Sequence, residues 1–493
     1  MKYLNLEERF SRGRMSDLAF LEKQIKDWLA SNIRDMQIKS EQYYEGLQDI
    51  LDRKRKVINE GGELVEDKKL PNNMIIDNQF AIHIDKKTNY ILGKPLTITS
   101  ENDKLNEHLK RIFGPKAMRQ FLATAHGAIT EGKHWVYAYE KGTDMLFTAF
   151  PAYEILPLWA DAAHTELDCV VRYYEVKDYD ENGTEQTVKK VEVFDGNGIH
   201  RFFWSDGLVP DYDTPTEPYF TITDGENEQG YNWERLPIVP FKKNSKERPI
   251  LCEAKCLQDA YNLLLSDYVN SMECSPMNTV IVIKNAMGED LGKLVQNLNA
   301  YHAVKVGTNM QGVESGVDTL EITVNAENYK LILEALKKAI IENMRSYDAK
   351  DERLQGQPNQ MNIQSVYSEI DIDANGMETE FQASFEDLMW FVKQHISNTG
   401  GGSFNNVPVS VIFNRDMLIN ETEAIENCVK SLDILSEESV VEQHPWTKDI
   451  QKEMKRKKDE EEEARKNGDT YRNAFVNGRN DPAAKGVTGD GKQ

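Results

Sequence analysis

The pattern of apolar and polar positions divides the chain into helical and extended stretches. Leu18, Leu21, Ile25 and Leu29 recur at three- and four-residue steps, the period of one buried helix face, so helices are expected across 15–60. Within that region Tyr43 to Val57 reads as helical and ends in the basic run Arg53-Lys54-Arg55-Lys56, just before Gly61-Gly62. Cations at a helix C-terminus complement the helix dipole, so the run reads as a solvated helix end. Helical spacing returns from Pro71 to Leu92 through Ile75, Phe80, Ile84 and Ile91, stops at Gly93-Lys94-Pro95, and fits again over 103–131. Leu96–Thr99, Trp135–Tyr139 and Leu146–Phe150 look like strands, and 153–240 is strand-rich with turns at Glu181-Asn182-Gly183 and Asp195–Gly198. Residues 205–235 are polar, carry several Gly and Pro, and read as a long loop or insertion.

Beyond Pro249 the pattern changes. Ile250, Ala254, Leu257, Tyr261, Leu264 and Tyr268 form one stripe of a helix running to about Met272, and Pro276 ends it. A small βαβ-like unit follows: strand Thr279–Ile283, helix Glu289–Tyr301, strands Ala303–Val306 and Val317–Thr323. A second long helix starts near Ala326, with Tyr329, Leu333, Leu336, Ile340 and Met344 on its stripe. Ser346 to Asn362 is polar. Helix resumes from about Ile363 to His395, with a kink expected near Asn375-Gly376, and Gly400-Gly401-Gly402 ends it. Val409–Phe413 is a strand, and 420–465 is helical, closing on Lys455–Lys458 and Asp459–Glu463, a solvated face. The Gly- and Asp-rich stretch after Asn467 is expected to be disordered. The fold class is α+β. Two long helices bracketing a compact α/β insertion suit a ring, where helices stand side by side around an axis, better than a lone enzyme.

Composition narrows the function. A chain of 493 residues implies two to four domains. Its 82 acidic and 59 basic residues give a net charge of −23, unlike proteins that grip nucleic acid by displacing counterions with clustered Lys and Arg. Such a protein can handle DNA only by letting it slide. The five cysteines are odd in number and scattered, which reads as free thiols; Cys252 and Cys256 have helical spacing but no second pair at zinc-ligand distance. No run of about eighteen apolar residues occurs, so no membrane helix is expected. The first twenty residues lack a signal-peptide core, so the product is expected to be cytosolic while it is being made.

Searches for catalytic chemistry fail. Gly307 and Gly312 have phosphate-loop spacing, but Val313-Glu314 stands where Lys-Ser or Lys-Thr is required. Asp371-Ile372-Asp373-Ala374-Asn375-Gly376 starts like a calcium loop, yet the twelfth position is Gln382 instead of a bidentate Glu, and the stretch lies in a helical pattern. His126 and His134 belong to no nucleophile–base–acid set. No enzyme, cofactor or metal is expected.

Four segments in order carry a resemblance. Tyr43-Tyr44-Glu45-Gly46 with Ile50 and Arg53; Pro71-Asn72-Asn73 with Asn78 and then Asp85 to Pro95; Leu236-Pro237-Ile238-Val239-Pro240-Phe241; and Ser365-Val366-Tyr367 with the helix through Phe381 together resemble the Gp6-like portal proteins of long-tailed phages. The family's Ser-Gly-Val-Ala-Leu pattern is replaced here by Ile363-Gln364-Ser365-Val366-Tyr367, and 205–235 has no counterpart.

The resemblance implies a ring, usually of twelve subunits, at the portal vertex of the virion. It would pass double-stranded DNA and bind the terminase large subunit, the head–tail adaptor, and the major capsid and scaffolding proteins. It also implies a partition: N-terminal segment and wing 1–249, stem helices 250–274 and 324–347, clip 275–323, tunnel loop 348–363, kinked helix and wing strand 364–419, crown 420–466 and tail 467–493. Lys350, Asp351, Glu352, Arg353, Gln357 and Gln360 would then be the DNA-contacting loop. Glu253, Asp259, Asp267 and Glu273 on the first long helix, and Glu327, Glu334 and Glu342 on the second, are candidate tunnel acids. The competing readings are a non-ring structural adaptor or scaffold, and a metal-dependent nuclease with Asp371 and Asp373 as ligands.

Overall fold

The computed structural model describes residues 15–58, 62–66, 68, 70–179, 183–214, 216–224, 227–274, 279–284, 316–321, 326–355, 358–415, 420–447 and 450–466. Helices α1 (Met15–Leu29) and α2 (Asn32–Tyr44) lead to a hairpin of β1 (Lys56–Ile58) and β2 (Leu64–Glu66). Then come α3 (Gln79–Leu92), β3 (Thr97–Ser100), α4 (Asp103–Ile112) and α5 (Pro115–Glu131). Strands β4 (Lys133–Lys141), β5 (Asp144–Pro151), β6 (Ile155–Trp159), β7 (Leu167–Tyr179), β8 (Glu185–Asp195) and β9 (Gly198–Trp204) follow. The short β10 (Leu208–Pro210), β11 (Thr216–Glu217), β12 (Phe220–Asp224) and β13 (Asn227–Tyr231) precede β14 (Ile238–Lys242). The long helix α6 (Leu251–Cys274), strands β15 (Thr279–Lys284) and β16 (Gly316–Glu321), helix α7 (Ala326–Asn343) and helix α8 (Gln360–Asn398) come next. The remainder is β17 (Val409–Ile412), α9 (Glu421–Ser431), α10 (Glu437–Gln443) and α11 (Ile450–Lys466).

The chain forms two compact units: 1–348 with 367–416, and 349–366 with 417–493. In the first, an antiparallel sheet runs β10-β9-β8-β7-β6 with β11 on β9. Helix α1 covers it: Leu21 and Ile25 are fully buried with Cys169, Val171, Val191 and Val193. A second sheet, β14-β4-β5, packs with α5 and α8 through Phe121, whose ring meets those of Phe113, Phe147, Phe241 and Phe385. Gly132, between α5 and β4, has φ +90°, and a Cβ there would lie 2.5 Å from the Glu247 carbonyl oxygen, so only glycine fits. Strand β17 pairs antiparallel with β3. In the second unit, Asn420 and Ser436 cap α9 and α10.

The mixed α and β class matches the sequence reading, but several boundaries do not. The helix expected over 43–57 stops at Tyr44, because Gly46 at φ +88° reverses the chain and its N–H closes on the Tyr43 carbonyl. Arg53 to Lys56 are therefore not a helix end. The helix expected over 71–92 starts only at Gln79, capped by Asn78. The one expected over 103–131 is two, parted at Gly114 with Pro115 opening the second. The supposed loop 205–235 holds β10 to β13. Helix α8 passes through Asn375-Gly376 without a break, so no calcium loop forms there. In the α/β insertion, β15 and β16 pair antiparallel; the helix at 289–301 and the strand at 303–306 lie outside the described residues.

Candidate functional site

The face of α6 that is most deeply buried is polar. Gln258, Asn262, Ser266 and Asn270, four residues apart, are at most 1% exposed. Each accepts a backbone N–H, three from the extended segment before α3 and one from its first turn: Asn73 donates to Asn270 Oδ1 (2.7 Å), Ile75 to Ser266 Oγ (3.0 Å), Asp77 to Asn262 Oδ1 (3.2 Å) and Phe80, in α3, to Gln258 Oε1 (3.1 Å). Two residues of extended chain advance about 6.6 Å and four residues of helix about 6 Å, so the two periods run nearly in step. This strap is why 71–78 is not helical: its N–H groups are satisfied by side chains. The expected stripe is correspondingly incomplete. Ile250, Ala254 and Tyr261 are buried, whereas Leu257, Leu264 and Tyr268 are only half-buried. Tyr268 instead meets Tyr329 of α7, with ring centroids 5.1 Å apart.

The seven candidate acids fall into distinct settings. Asp259 accepts from the Tyr43 hydroxyl (2.6 Å) and pairs with Lys255 (2.7 Å), which also binds Asp49. Burial would raise the Asp49 carboxyl, but hydrogen bonds from Lys255 and Lys39 outweigh it and hold it at about 2. Burial and the bond to Asp259 push the Tyr43 phenol up. Asp267 pairs with Arg53 and Arg55, so the basic run is spent on α6. Glu253 lies 3.5 Å from Lys243. Glu334 and Glu342 face Lys330 and Lys338 across one helical turn at 3.8 and 3.9 Å, and with Glu273 and Glu327 they are exposed. Asp259 and Asp267 are thus already partnered inside the subunit.

The chain leaving α7 is clamped by α3. Lys87, its side chain 3% exposed, donates to the carbonyls of Met344 (2.8 Å) and Arg345 (3.3 Å) and to Asp373 Oδ2 on α8 (2.6 Å). Burial lowers the Lys87 ammonium and Asp373 opposes that shift; on Asp373, burial is outweighed by Lys87 and the carboxyl is lowered. Lys86 donates to the Tyr347 carbonyl (3.1 Å), and His83 Nδ1 lies 2.9 Å from Ser346 Oγ. Burial, aided by Lys86, pulls His83 down to about 3, so the imidazole is neutral. The Tyr90 hydroxyl donates to Asp371 (2.9 Å), and its ring stacks on Tyr367, which stacks on Tyr347. Arg415 binds Asp371 and Glu378. Asp371 and Asp373, the suggested nuclease ligands, are held by Arg415 and Lys87.

The loop after this root belongs to the second unit. Asp351 accepts the Arg353 backbone N–H and binds its guanidinium through both oxygens (2.9 and 2.8 Å), and Arg353 also donates to Ser365 (3.0 Å). Lys350 and Glu352 are exposed; Gln357 lies outside the described residues. Gln360 is fastened: its N–H donates to Glu423 (3.0 Å), and its side-chain oxygen accepts from Asn420 (3.3 Å). Among the described residues no group of three or more His, Cys, Asp or Glu could hold a metal, and no helix is long and apolar enough to cross a membrane.

Sequence reasoning missed the polar ladder of α6 and the Lys87 clamp. The four-residue spacing of Gln258, Asn262, Ser266 and Asn270 was a readable signal, eclipsed by the apolar stripe beside it. The partnership of Lys87, 286 positions from Asp373, had no local signal.

Comparison with known proteins gives a consistent match. The family model described as "Phage portal protein, SPP1 Gp6-like" matches residues 30–467. The portal protein of Bacillus phage SPP1 is 25% identical over 431 residues, covering 86% of this chain and 83% of that protein. The portal protein of Clostridium phage phiCD119 is 25% identical over 418 residues, covering 81% and 88%. A chain from the neck of a native GTA particle, computed with C12 symmetry, is similar at TM-score 0.36 and 12% identity over 72% of this chain and 86% of that one.

Proposed function

Because the chain belongs to the SPP1 Gp6-like phage portal family, we propose that it is one subunit of a ring at the portal vertex of the virion, through which double-stranded DNA is packaged and ejected. The family match across 30–467 carries this reading. Helices α6 and α7 form the stem, the 275–323 insertion the clip, the 348–363 segment the tunnel loop, 420–466 the crown, and the remainder the wing. The clip docks the terminase large subunit during packaging and the head–tail adaptor afterwards. Translocation energy comes from that separate motor.

Electrostatics supports the conduit. DNA carries one negative charge per about 1.7 Å of axis, and a cation-lined tunnel would trap it by counterion release. The exposed Glu273, Glu327, Glu334 and Glu342 on the long helices are suited to keep it mobile. Asp259 and Asp267 contribute less, since each is neutralised within the subunit. Lys350, and Arg353 with its charge shared by Asp351, make a weak contact, a loose gate more than a clamp.

Imaging of the purified protein should display an annulus with a central hole; a monomer or dimer at all concentrations would sink the proposal. The loop is tested by Lys350→Glu with Arg353→Glu, which leaves Gln360 in place. Rings should persist while DNA packaging or retention falls, and undiminished packaging rules out a DNA-contacting loop.

A further inference from the structure

The β1–β2 hairpin pairs Lys56 with Glu66, Val57 with Val65 and Ile58 with Leu64, and no third strand joins it among the described residues. A lone two-stranded ladder is marginal in water without a partner surface. All of 62–66 is exposed, with Leu64 at 68% and Val65 at 38%. Yet the base is fixed at both ends. Arg53 and Arg55 bind Asp267 on α6, and Asn72 donates to the Arg53 carbonyl (3.0 Å), closing the excursion where it leaves and where it returns. A clamped base beneath a strand that exposes Leu64 and Val65 is the geometry of an arm.

We infer that this hairpin is the arm by which one copy of the chain holds the next; the inference rests on the portal reading. The occupant is a second copy for two reasons. A closed cyclic assembly sets one surface of each subunit against a different surface of its neighbour, so every arm finds a receiver and none is left over. Charge agrees: Lys54 and Lys56 at the arm's base are exposed, and the exposed carboxylates of α6 and α7 are complementary to them on an adjacent subunit. The arm's base is pinned to α6 itself, so the contact continues the proposed packing of the long helices around the axis. The outer strand edges add main-chain N–H and C=O groups that a neighbour can take up.

The test uses the full chain. A photo-reactive benzoylphenylalanine at Leu64, irradiated in assembled rings, should yield covalent dimers and higher multimers of this chain on a denaturing gel. Leu64→Asp with Val65→Asp should raise the concentration needed for ring formation tenfold or more, with unchanged circular dichroism. The inference is overturned if the probe gives monomer alone, if its products in infected-cell lysate contain only a different virion protein, or if the double variant assembles like wild type. Wild-type protein that makes no ring at all would instead sink the portal reading, and the arm with it.

Discussion

The end of α7 and the loop that follows it are built from the same residue types to opposite effect. At the root, Lys87 and Asp373 are withdrawn from water and every donor of the ammonium is used. A few residues on, Asp351 and Arg353 make a bidentate pair at the surface, at 2.9 and 2.8 Å. Removing one partner of a buried pair strands a charge, while an exposed pair contributes little and is screened by salt. The difference teaches that the chain spends buried ions on fixing where the loop begins and leaves the loop soft.

The strongest way to break this comparison is Lys87→Met. It leaves Asp373 to the exposed Arg345, 3.5 Å away, and bares two carbonyls, and denaturant titration should register a loss of about 3–5 kcal/mol. Adding Asp373→Asn should restore part of it; a further loss would mean that the pair is not what holds the root. Next comes Asn262→Leu on the polar ladder, which orphans the Asp77 N–H and removes a partner of Gln48 and Gln258. A cost of about 1–3 kcal/mol is expected from the same titration.

His83 sharpens the contrast through pH. Its folded value, about 3, lies below the ordinary 6.5, so between those limits the unfolded chain binds the proton that the folded chain refuses. The root's stability is present above pH about 6.5 and is lost as pH falls towards 3. Melting temperature followed from pH 8 to 4 should decline less steeply in His83→Gln than in wild type; equal slopes would remove His83 from the account. Smallest of all, Arg353→Ala should leave the melting temperature unchanged at any salt concentration, and a clear drop would show that the loop is as rigid as its root.

Much of the fold was legible. The alternation through Trp135–Tyr139 and Leu146–Phe150 marks β4 and β5, and the spacing of Leu21 and Ile25 marks the buried face of α1. The two long helices and the polar segment after them were readable from periodicity alone. What escaped was set by distant partners. Apolar spacing puts Ile75 in the helix that carries Phe80, Ile84 and Ile91, yet the α6 ladder draws 73–77 out straight until Asn78 caps α3. Asp267 looked like a free acid because Arg53 and Arg55 reach it only in the folded chain, and Asp259 because Tyr43 does, although Lys255 four residues before it was a local partner. Local signals misread were Gly46, which stops α2 where the apolar pattern alone would continue it, and Gly114-Pro115, which parts α4 from α5.

The strap along α6 has an evolutionary consequence. At all four of its contacts, Asn73, Ile75, Asp77 and Phe80, the grip is on a peptide N–H that nineteen of the twenty residue types possess, so all but proline can keep it. The gripping positions have no such latitude, since Gln258, Asn262, Ser266 and Asn270 must each present an acceptor at one depth. Over generations of phage the strap can drift in sequence while the four rungs stay still. Two segments in continuous contact would then record quite different histories.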